Sequence, residues 1–468
     1  MAQWHRERSH FLASAPDTVF EAVQDLSRTH EWMRTFHGFK LRDQPGQVGT
    51  KVDFLPPGDK LSILHQRTAP AGSITVLDVK ARSITFTQPQ PGGRLSITWR
   101  VEPAVDGSTV TIAVDIEGPL RLAFAKTVAE PLLADFPIAV ARLYRIISST
   151  IPTTAPIKCV IAGGRGYLGR QLTADLVTRG HDVFVLTRSF EEDFPAPQLL
   201  WDGKTVGAWA DVLRSSKKPV SLVNLAGEHV DVEPSEENIE RLRRSRIDST
   251  AVLKQAVDKM DKPLDTWVQS STTAIYGDAG ETHLTEASPL PTGAKALPQQ
   301  TGIARAWEQA AQGANAEHFC ILRTSLVFGS DAPLLKRLRM LAETGLGGPI
   351  AGGQQWVSWI HVHDWLKLVR TMLGIEGNRP PQGPIHAATP EPIRNATMMS
   401  VLRDNFAAGF MKKSAAKTPE RLLKLGARIL GTDAALVSTS RHTTSQVLRD
   451  AYFQFEHPSF ADAIQQLD

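Results

Sequence analysis

The chain has 468 residues, 22% of them charged, with a formal net charge of +3. That length suits about three domains of ordinary size, and without a Lys/Arg block it implies neither nucleic acid nor a membrane surface as partner. Only two cysteines occur, Cys159 and Cys320, each inside an apolar strand-like run. They read as buried thiols of a reducing compartment, which excludes a thiolate metal centre, and no metal ligand is assigned. The first residues, MAQWHRERSH, lack an apolar signal core, and no apolar run reaches membrane-spanning length, so a cytoplasmic location is the default expectation.

Residues 1–150 read as an α+β unit. A strand is expected around Ser9–Ala13. Val19, Phe20, Val23 and Leu26 then recur at helical spacing, with Ser14 and Asp17 available as caps. From Gly38 to Glu117, short alternating runs such as SITFTQ and LSITWRVE are separated by Gly, Pro and Asp, the pattern of an antiparallel meander. An apolar-periodic stretch from Leu120 to Ile147 predicts a closing helix, kinked or interrupted at Pro131 and Pro137. This element order, together with PDTVFEAVQDLSRTHEWM, resembles the START/Bet v 1-like, or helix-grip, fold of the polyketide cyclase and lipid-transfer superfamily. The resemblance implies an apolar cavity and an apolar ligand; a solid core is the alternative.

Ser148–Pro156, SSTIPTTAP, has the composition of an exposed linker, and 151–156 is taken as the junction. Ile157–Ser189 then reads as strand, glycine turn, helix and second strand. Gly163, Gly166 and Gly169 have the spacing of a dinucleotide-binding turn, in which Gly163 turns the chain, Gly166 admits a pyrophosphate and Gly169 lets the helix pack on its strand. Gly164, Arg165, Tyr167 and Leu168 share the turn. The second strand ends in Thr187, Arg188 and Ser189 where an NAD site usually has an acidic residue, so Arg188 points to the 2′-phosphate of NADP, with NAD the alternative.

Strand and helix signals continue to alternate over 157–394, predicting a doubly wound parallel Rossmann sheet: strands at Val220–Leu225, Trp267–Ser271 and His318–Val327, and helices at Ile239–Val257 and Ile303–Ala314. Helices are expected again over 395–468, with Leu402, Phe406 and a Leu422–Leu430 run packing beside the crevice and Lys412 and Lys413 solvated. The glycine stretch, NLAGE, RSRIDST, SSTTAIYGDAGETHLTEASP, AWEQAA, LRTSLVFG and GGPIAGGQQWVSWIHVHD, in that order, resemble the atypical short-chain dehydrogenase/reductases of the nucleoside-diphosphate sugar epimerase-like group. The resemblance runs from about Lys158 to the C-terminus. It implies that Leu225, Ala226 and Gly227 lie along the cofactor, and that Thr272 aligns the substrate.

Active relatives add a Tyr followed four residues later by Lys. None of Tyr144, Tyr167, Tyr276 and Tyr452 has a lysine there, and the corresponding segment, PQQTGIARAWE, offers Gln300, Thr301 and Arg305 instead. Replacement catalytic groups are sought in Tyr276, which a packed aromatic would also explain, and in Glu228, which a helix cap would also explain. Arg323, Trp359 and His361 are candidate substrate contacts. A salt bridge is the alternative for Arg323, core filling for Trp359, and a structural cap for His361. Two functions remain open: an NADP-dependent epimerase or reductase acting on a small or nucleotide-linked polar substrate, and a non-catalytic NADP(H)-binding module coupled to an apolar-ligand domain.

Overall fold

The computed structural model describes residues 3–35, 38–42, 46–55, 70–147, 149–153, 155–214, 217–407 and 435–467. The expected Leu422–Leu430 run and Lys412 and Lys413 lie outside the described residues. In the first unit, β1 (Gln3–Leu12), β2 (Gly38–Leu41), β3 (Lys51–Leu55), β4 (Gly72–Asp78), β5 (Ser83–Gln90), β6 (Gly93–Ala104) and β7 (Gly107–Glu117) form one antiparallel sheet in the order β1-β7-β6-β5-β4-β3-β2. The alternation read from the sequence sets its inner face. Leu95, Ile97, Trp99 and Val101 of β6 are buried, with less buried residues between them.

The first helix, α1 (Pro16–Gln24), is not capped by Ser14 or Asp17: its N-cap is Ala15, with no side-chain cap. Ser14 Oγ instead donates to the carbonyl of Ser149, and Asp17 pairs with Arg82 at 2.6 Å. The closing helical run is interrupted before Pro131 and continues unbroken through Pro137. A short turn at Arg121–Phe124 and a π-helical turn at Ala125–Ala129 precede α2 (Glu130–Ile146), in which Pro131 lies in the first turn and Pro137 inside.

Helix α2 is apolar on two faces. Leu132, Leu133, Phe136, Ala139, Val140 and Leu143 close the core of the first sheet, while Ile138 and Ala141 belong to the core of the second unit. The aromatic rings of Phe39, Phe54, Phe86 and Trp99 pack at 4.8–6.0 Å between centroids inside the first core. A separate cleft of about 440 Å³ is lined by Leu26, Leu41, Ile74 and Leu77 together with Glu21, Gln24, Asp25 and Ser27, so its wall is part apolar and part acidic.

The second unit is a parallel sheet of β8 (Lys158–Ala162), β9 (Asp182–Thr187), β10 (Gln198–Leu200), β11 (Val220–Asn224), β12 (Leu264–Thr272), β14 (Ala316–Thr324) and β18 (Gly383–Ala387), in the order β10-β9-β8-β11-β12-β14-β18. The strand order reverses between β8 and β11, the switch point where doubly wound sheets hold ligands beyond their carboxyl ends. Helices α3 (Tyr167–Thr178), α4 (Glu236–Asp258), α5 (Ile303–Ala311), α6 (Pro333–Glu343), α7 (Val362–Met372) and α8 (Asn395–Phe406) surround it. Short ribbons join the outer segments: β13 (His283–Leu284) with β20 (His442–Thr443), β15 (Leu326–Phe328) with β17 (Trp359–His361), and β16 (Trp356–Val357) with β19 (Ile393–Arg394). Among the described residues no helix is long and apolar enough to cross a membrane.

The units meet through hydrogen bonds that the linker composition does not suggest. Ala13 N donates to the carbonyl of Thr178 at 2.7 Å, Ile151 N donates to the carbonyl of Ala13 at 2.8 Å, and Thr153 Oγ1 donates to the carbonyl of Arg179. Arg8 of β1, almost fully buried, donates to the carbonyl of Leu133 and to Gln171 Oε1 and pairs with Asp331 at 3.3 Å. Within α3, both carboxylate oxygens of Asp175 accept from Nη1 of Arg370 in α7, at 2.9 and 3.0 Å, while Arg370 Nε donates to Glu376 at 2.6 Å; the Asp175 and Arg370 side chains are buried. Burial pushes the Asp175 carboxyl up, but Arg370 and Arg179 outweigh it and hold the group well below the usual carboxylate range. Its stabilising contribution is complete above the unfolded carboxylate value of about 3.9 and is lost as pH falls through the depressed folded value. Replacing Asp175 with Ala leaves the buried Arg370 guanidinium with the half-exposed Glu376 as its remaining ion-pair partner and is expected to cost about 3–5 kcal/mol. Urea unfolding at neutral pH measures it, and a loss below about 1 kcal/mol would show that the pair does not hold α3 in place.

Candidate functional site

The glycine turn between β8 and α3 holds its three glycines in three different situations. Gly163 has φ +79°, and a Cβ there would lie 2.8 Å from the carbonyl oxygen of Leu225. A Cβ on Gly169 would collide with the backbone of Gly163 and Gly164 at 2.4 and 2.5 Å, so this glycine is what lets α3 sit against the turn. Gly166 differs: it is exposed, is the N-cap residue of α3, and a Cβ would meet only the Gly163 carbonyl oxygen, at 3.4 Å. Nothing in the protein requires a glycine at 166, whereas a ligand approaching the free N–H groups of the helix end does. Gly164 packs on β9, where a Cβ would meet Val185 at 2.6 Å; Tyr167 and Leu168 begin the helix, half-buried.

At the end of β9 the side chain of Arg188 is exposed, and among the described residues it has no hydrogen bond or ion pair. Arg165, from the glycine turn, reaches the same place. Its Nη1 donates to Ser189 at the carbonyl and at Oγ, both 2.7 Å, and its Nε lies 3.3 Å from Glu191. Glu191 also receives Arg170 at 2.7 Å. This acid lies four residues beyond Thr187 and is committed to two guanidiniums. Glu191 and Arg170 went unnoticed in the sequence because charged residues in a loop are ordinarily solvated.

The end of β11 carries a buried polar lattice. Asn224 donates to Thr250 Oγ1 (2.9 Å) and Gln269 Oε1 (3.0 Å) and accepts from the N–H of Ala226, which shapes the Leu225-Ala226-Gly227 turn. Trp307 Nε1 donates to the same Thr250 hydroxyl. Arg246 of α4 braces the turn: it donates to the carbonyl of Glu228 at 2.8 Å, lies over the Trp307 ring, and would touch a Cβ on Gly227 at 3.0 Å. Burial pulls this guanidinium down to about 10. The Glu228 carboxylate pairs with Arg241 at 3.1 Å and is half-buried.

At the end of β12, Thr272 is half-buried and its Oγ1 accepts from the N–H of Ala274, capping the turn Thr273–Tyr276. Tyr276 has a different situation from a poised acid. Its ring is buried and its hydroxyl accepts from Arg323 at 2.7 Å, with His386 Nε2 at 2.9 Å and the Thr285 carbonyl at 3.1 Å. The His386 Nδ1 lies 2.9 Å from the Thr444 carbonyl, so this nitrogen carries the proton and Nε2 accepts from the phenol. Burial pushes the phenol up to about 12. The packed-aromatic alternative is therefore the one found. Arg323 is likewise engaged: Glu308 of α5 receives its Nε and Nη2 at 2.8 and 2.9 Å, leaving it no fork for a substrate phosphate. Ser271 donates to the same carboxylate at 2.6 Å.

Trp359 is fully buried against Phe328 and Phe460 and donates to the carbonyl of Glu391, so it fills core. His361 is buried as the N-cap of α7, its Nδ1 accepting from the N–H of His363 at 3.3 Å. Both are corrections to substrate contact, and both follow from close packing around β17 that a sequence window does not display.

Among the buried side chains with an unsatisfied polar atom are Gln300 and Thr301, in the π-helical turn Pro298–Gly302 that leads into α5. Both are buried, and Gln300 Nε2 and Thr301 Oγ1 have no hydrogen-bond partner. Arg441 donates to Gln300 Oε1 at 2.6 Å, which fixes the amide so that its NH2 is the free end. A Cβ on Gly277, just past β12, would lie 3.5 Å from Thr301 Oγ1, so this turn flanks the carboxyl end of the sheet. Arg441, 141 residues away, had no local signal in the sequence.

Residues 159–382 match the family model described as NAD dependent epimerase/dehydratase, and residues 3–143 match polyketide cyclase / dehydrase and lipid transport. The epimerase family protein SDR39U1 homolog, chloroplastic, of Arabidopsis thaliana is 27% identical over 309 residues, covering 65% of this chain and 84% of its own. Epimerase family protein YfhF of Bacillus subtilis is 28% identical over 236 residues, covering 50% of this chain and 74% of its own. The crystal structure of human epimerase family protein SDR39U1 with NADPH superposes with a TM-score of 0.56 at 22% identity, over 66% of this chain and 99% of that one. A nucleoside-diphosphate sugar epimerase from Corynebacterium glutamicum superposes with a TM-score of 0.58 at 21% identity, over 99% of this chain and 90% of that one. The fold match with the Corynebacterium protein therefore extends across both units.

The Tyr276→Phe variant tests the anchoring role. Removal of the hydroxyl strips a partner from Arg323 and His386 and is expected to lower stability by about 1–3 kcal/mol. Dinucleotide affinity should stay within about twofold. Urea unfolding and fluorescence titration report the two effects, and a large affinity loss without destabilisation would return Tyr276 to the cofactor site.

Proposed function

We propose that this chain, which joins a polyketide cyclase-family helix-grip domain to an epimerase-family Rossmann domain, binds NADP(H) and uses it for hydride transfer, as reduction or epimerisation, on a small polar substrate such as a nucleotide-linked sugar. When bound, the nicotinamide supplies or accepts the hydride. The glycine turn and α3 hold the pyrophosphate, with Gly166 giving it room and the Leu225-Ala226-Gly227 turn lying along the dinucleotide. Support for a polar substrate comes from one observation: Gln300 Nε2 and Thr301 Oγ1 are buried at the substrate side without partners. Such groups cost about 1–3 kcal/mol each unless something satisfies them, and a polar ligand would.

Thr272 and Thr301 are assigned to orienting the substrate oxygen, and Gln300 to donating a hydrogen bond to it. Proton exchange then falls to water or to Glu228, since Tyr276 is spent on Arg323 and His386. That same engagement favours the second reading, in which the domain binds NADP(H) without turnover. Incubating the protein with NADPH deuterated at C4 and a panel of ketosugar nucleotides, whose carbonyl carbon can accept the hydride, separates the two. Deuterium in a sugar supports hydride transfer; NADPH binding with no label transferred to any of them supports the binding module.

The preference for NADP rests on Arg188, exposed and without a partner, and on Arg165 beside it; the human SDR39U1 structure was solved with NADPH. A charge-assisted pair with a 2′-phosphate is worth about 1.5–3 kcal/mol, so NADPH should bind roughly ten to a hundred times more tightly than NADH. Arg188→Ala should remove most of that ratio by weakening NADPH alone. Equal weakening of both cofactors in paired calorimetric titrations would mean that Arg188 reads no phosphate.

Gly166→Val makes a separate test, because its side chain meets space rather than protein. Both cofactors should lose binding while the melting temperature holds, and retained NADPH affinity would move the pyrophosphate elsewhere.

A further inference from the structure

Three histidines from two distant parts of the chain converge where β17, the start of α7 and the C-terminal segment meet. His361 ends β17, His363 lies in the first turn of α7, and His457 precedes the helix Phe460–Gln465. One ring nitrogen from each lies within 4.8 Å of the other two. The ring centroids are 4.0 Å apart for His361 and His457, 4.7 Å for His361 and His363, and 5.7 Å for His363 and His457.

A core histidine normally gives one ring N–H to an acceptor and takes a donor on the other nitrogen. These three do not. His457 Nδ1 is buried without a partner, no side-chain hydrogen bond joins the three rings, and the only contact of His361 Nδ1 is the long capping bond from His363 N–H.

The cluster is positioned by groups that are not themselves ligands. Asp364, fully buried, accepts the backbone N–H groups of Glu456 and His457 at 2.6 and 3.0 Å, which fastens the C-terminal segment to the first turn of α7. Glu456 reaches Lys367 at 3.3 Å and reinforces the same placement. Arg8, a positive charge that acts on His361 and His363, is paired with Asp331 and directed at carbonyls of α2. Conformational cost of assembling the site is therefore largely met by the fold.

We propose that His361, His363 and His457 bind a divalent transition-metal ion of the zinc type, with water as fourth ligand, and that the ion locks the C-terminal segment onto α7. Three neutral imidazoles suit Zn²⁺, Ni²⁺, Cu²⁺ or Co²⁺ and not Mg²⁺ or Ca²⁺, which take oxygen. Zn–N bonds of about 2.0–2.1 Å in a tetrahedron set the nitrogens about 3.3–3.4 Å apart, so the rings close by roughly 1.5 Å through side-chain torsions. The bond given up is the long cap of His361.

The test uses the full chain, stripped with a chelator and titrated with Co²⁺ as a spectroscopic probe. One equivalent should bind with the intense visible absorption of tetrahedral Co²⁺, and Zn²⁺ should displace it. His363→Ala and His457→Ala should each weaken binding at least tenfold, while His5→Ala, a half-exposed histidine beside Asp115, should leave it unchanged. Binding of equal strength in all three variants, or no binding to the parent, would overturn the proposal. Nitrogen-15 spectra of the parent keep it decidable if a variant fails to fold. On adding Zn²⁺, three of the 14 histidines should shift, and a response from none or from a different set would also overturn it. None of these readouts depends on NADP(H), so the site stands or falls apart from the proposed hydride transfer.

Discussion

The buried pair of Asp175 with Arg370 fixes α3, the helix on which β1 and α2 of the first unit rest. Helix α3 has to start at the glycine turn, face β8 on one side, and carry β1 and α2 of the first unit on another. Such a helix is buried nearly all round, and from Gly169 to Thr178 only Arg170 keeps appreciable exposure. An all-apolar helix would meet that demand by hydrophobicity alone. This one also carries Gln171, Thr173, Asp175 and Thr178, and each has its partner: Arg8 and Asp331, the Gly169 carbonyl, Arg370, and the Ala174 carbonyl. The helix is thus fixed in rotation as well as in position, and so is its N-terminal end at the glycine turn.

How much of this was legible depends on whether the governing contacts are local. The turn from β8 into α3 was, because the demands on Gly163 and Gly169 are steric and local, and both appear in the geometry. The meander of the first sheet was legible from its period of two, and the interruption before α2 from Pro131. The caps of α1 were not. Ser14 and Asp17 have suitable chemistry, but partners at Ser149 and Arg82 compete for them, and a window of ten residues contains neither.

The same reason explains the catalytic candidates. Tyr276 stands after β12 as its resemblance implies, yet the direction of its hydroxyl is set by Arg323 and His386, 47 and 110 residues further on. Arg323 in turn is set by Glu308. The sequence shows the residue types of a polar site but not which of them satisfy one another, and what remains for a ligand is the remainder after that pairing. Part of that remainder is Gln300 and Thr301, placed in a π-helical turn of the kind that often marks functional positions.

Helix α2 gives the architecture its least modular property. A linker between 151 and 156 suggests that the first unit could be exchanged by cutting there. Ile138 and Ala141, however, belong to the core of the second unit although they are encoded in the first, and Ile151 is zipped to Ala13. A chimera that imports a different helix-grip domain therefore has to reproduce an outer surface along its last helix, not only a joining loop. Homologous exchange between such proteins is confined to donors whose closing helix already presents small or β-branched side chains at those two places, which ties the descent of the two halves together.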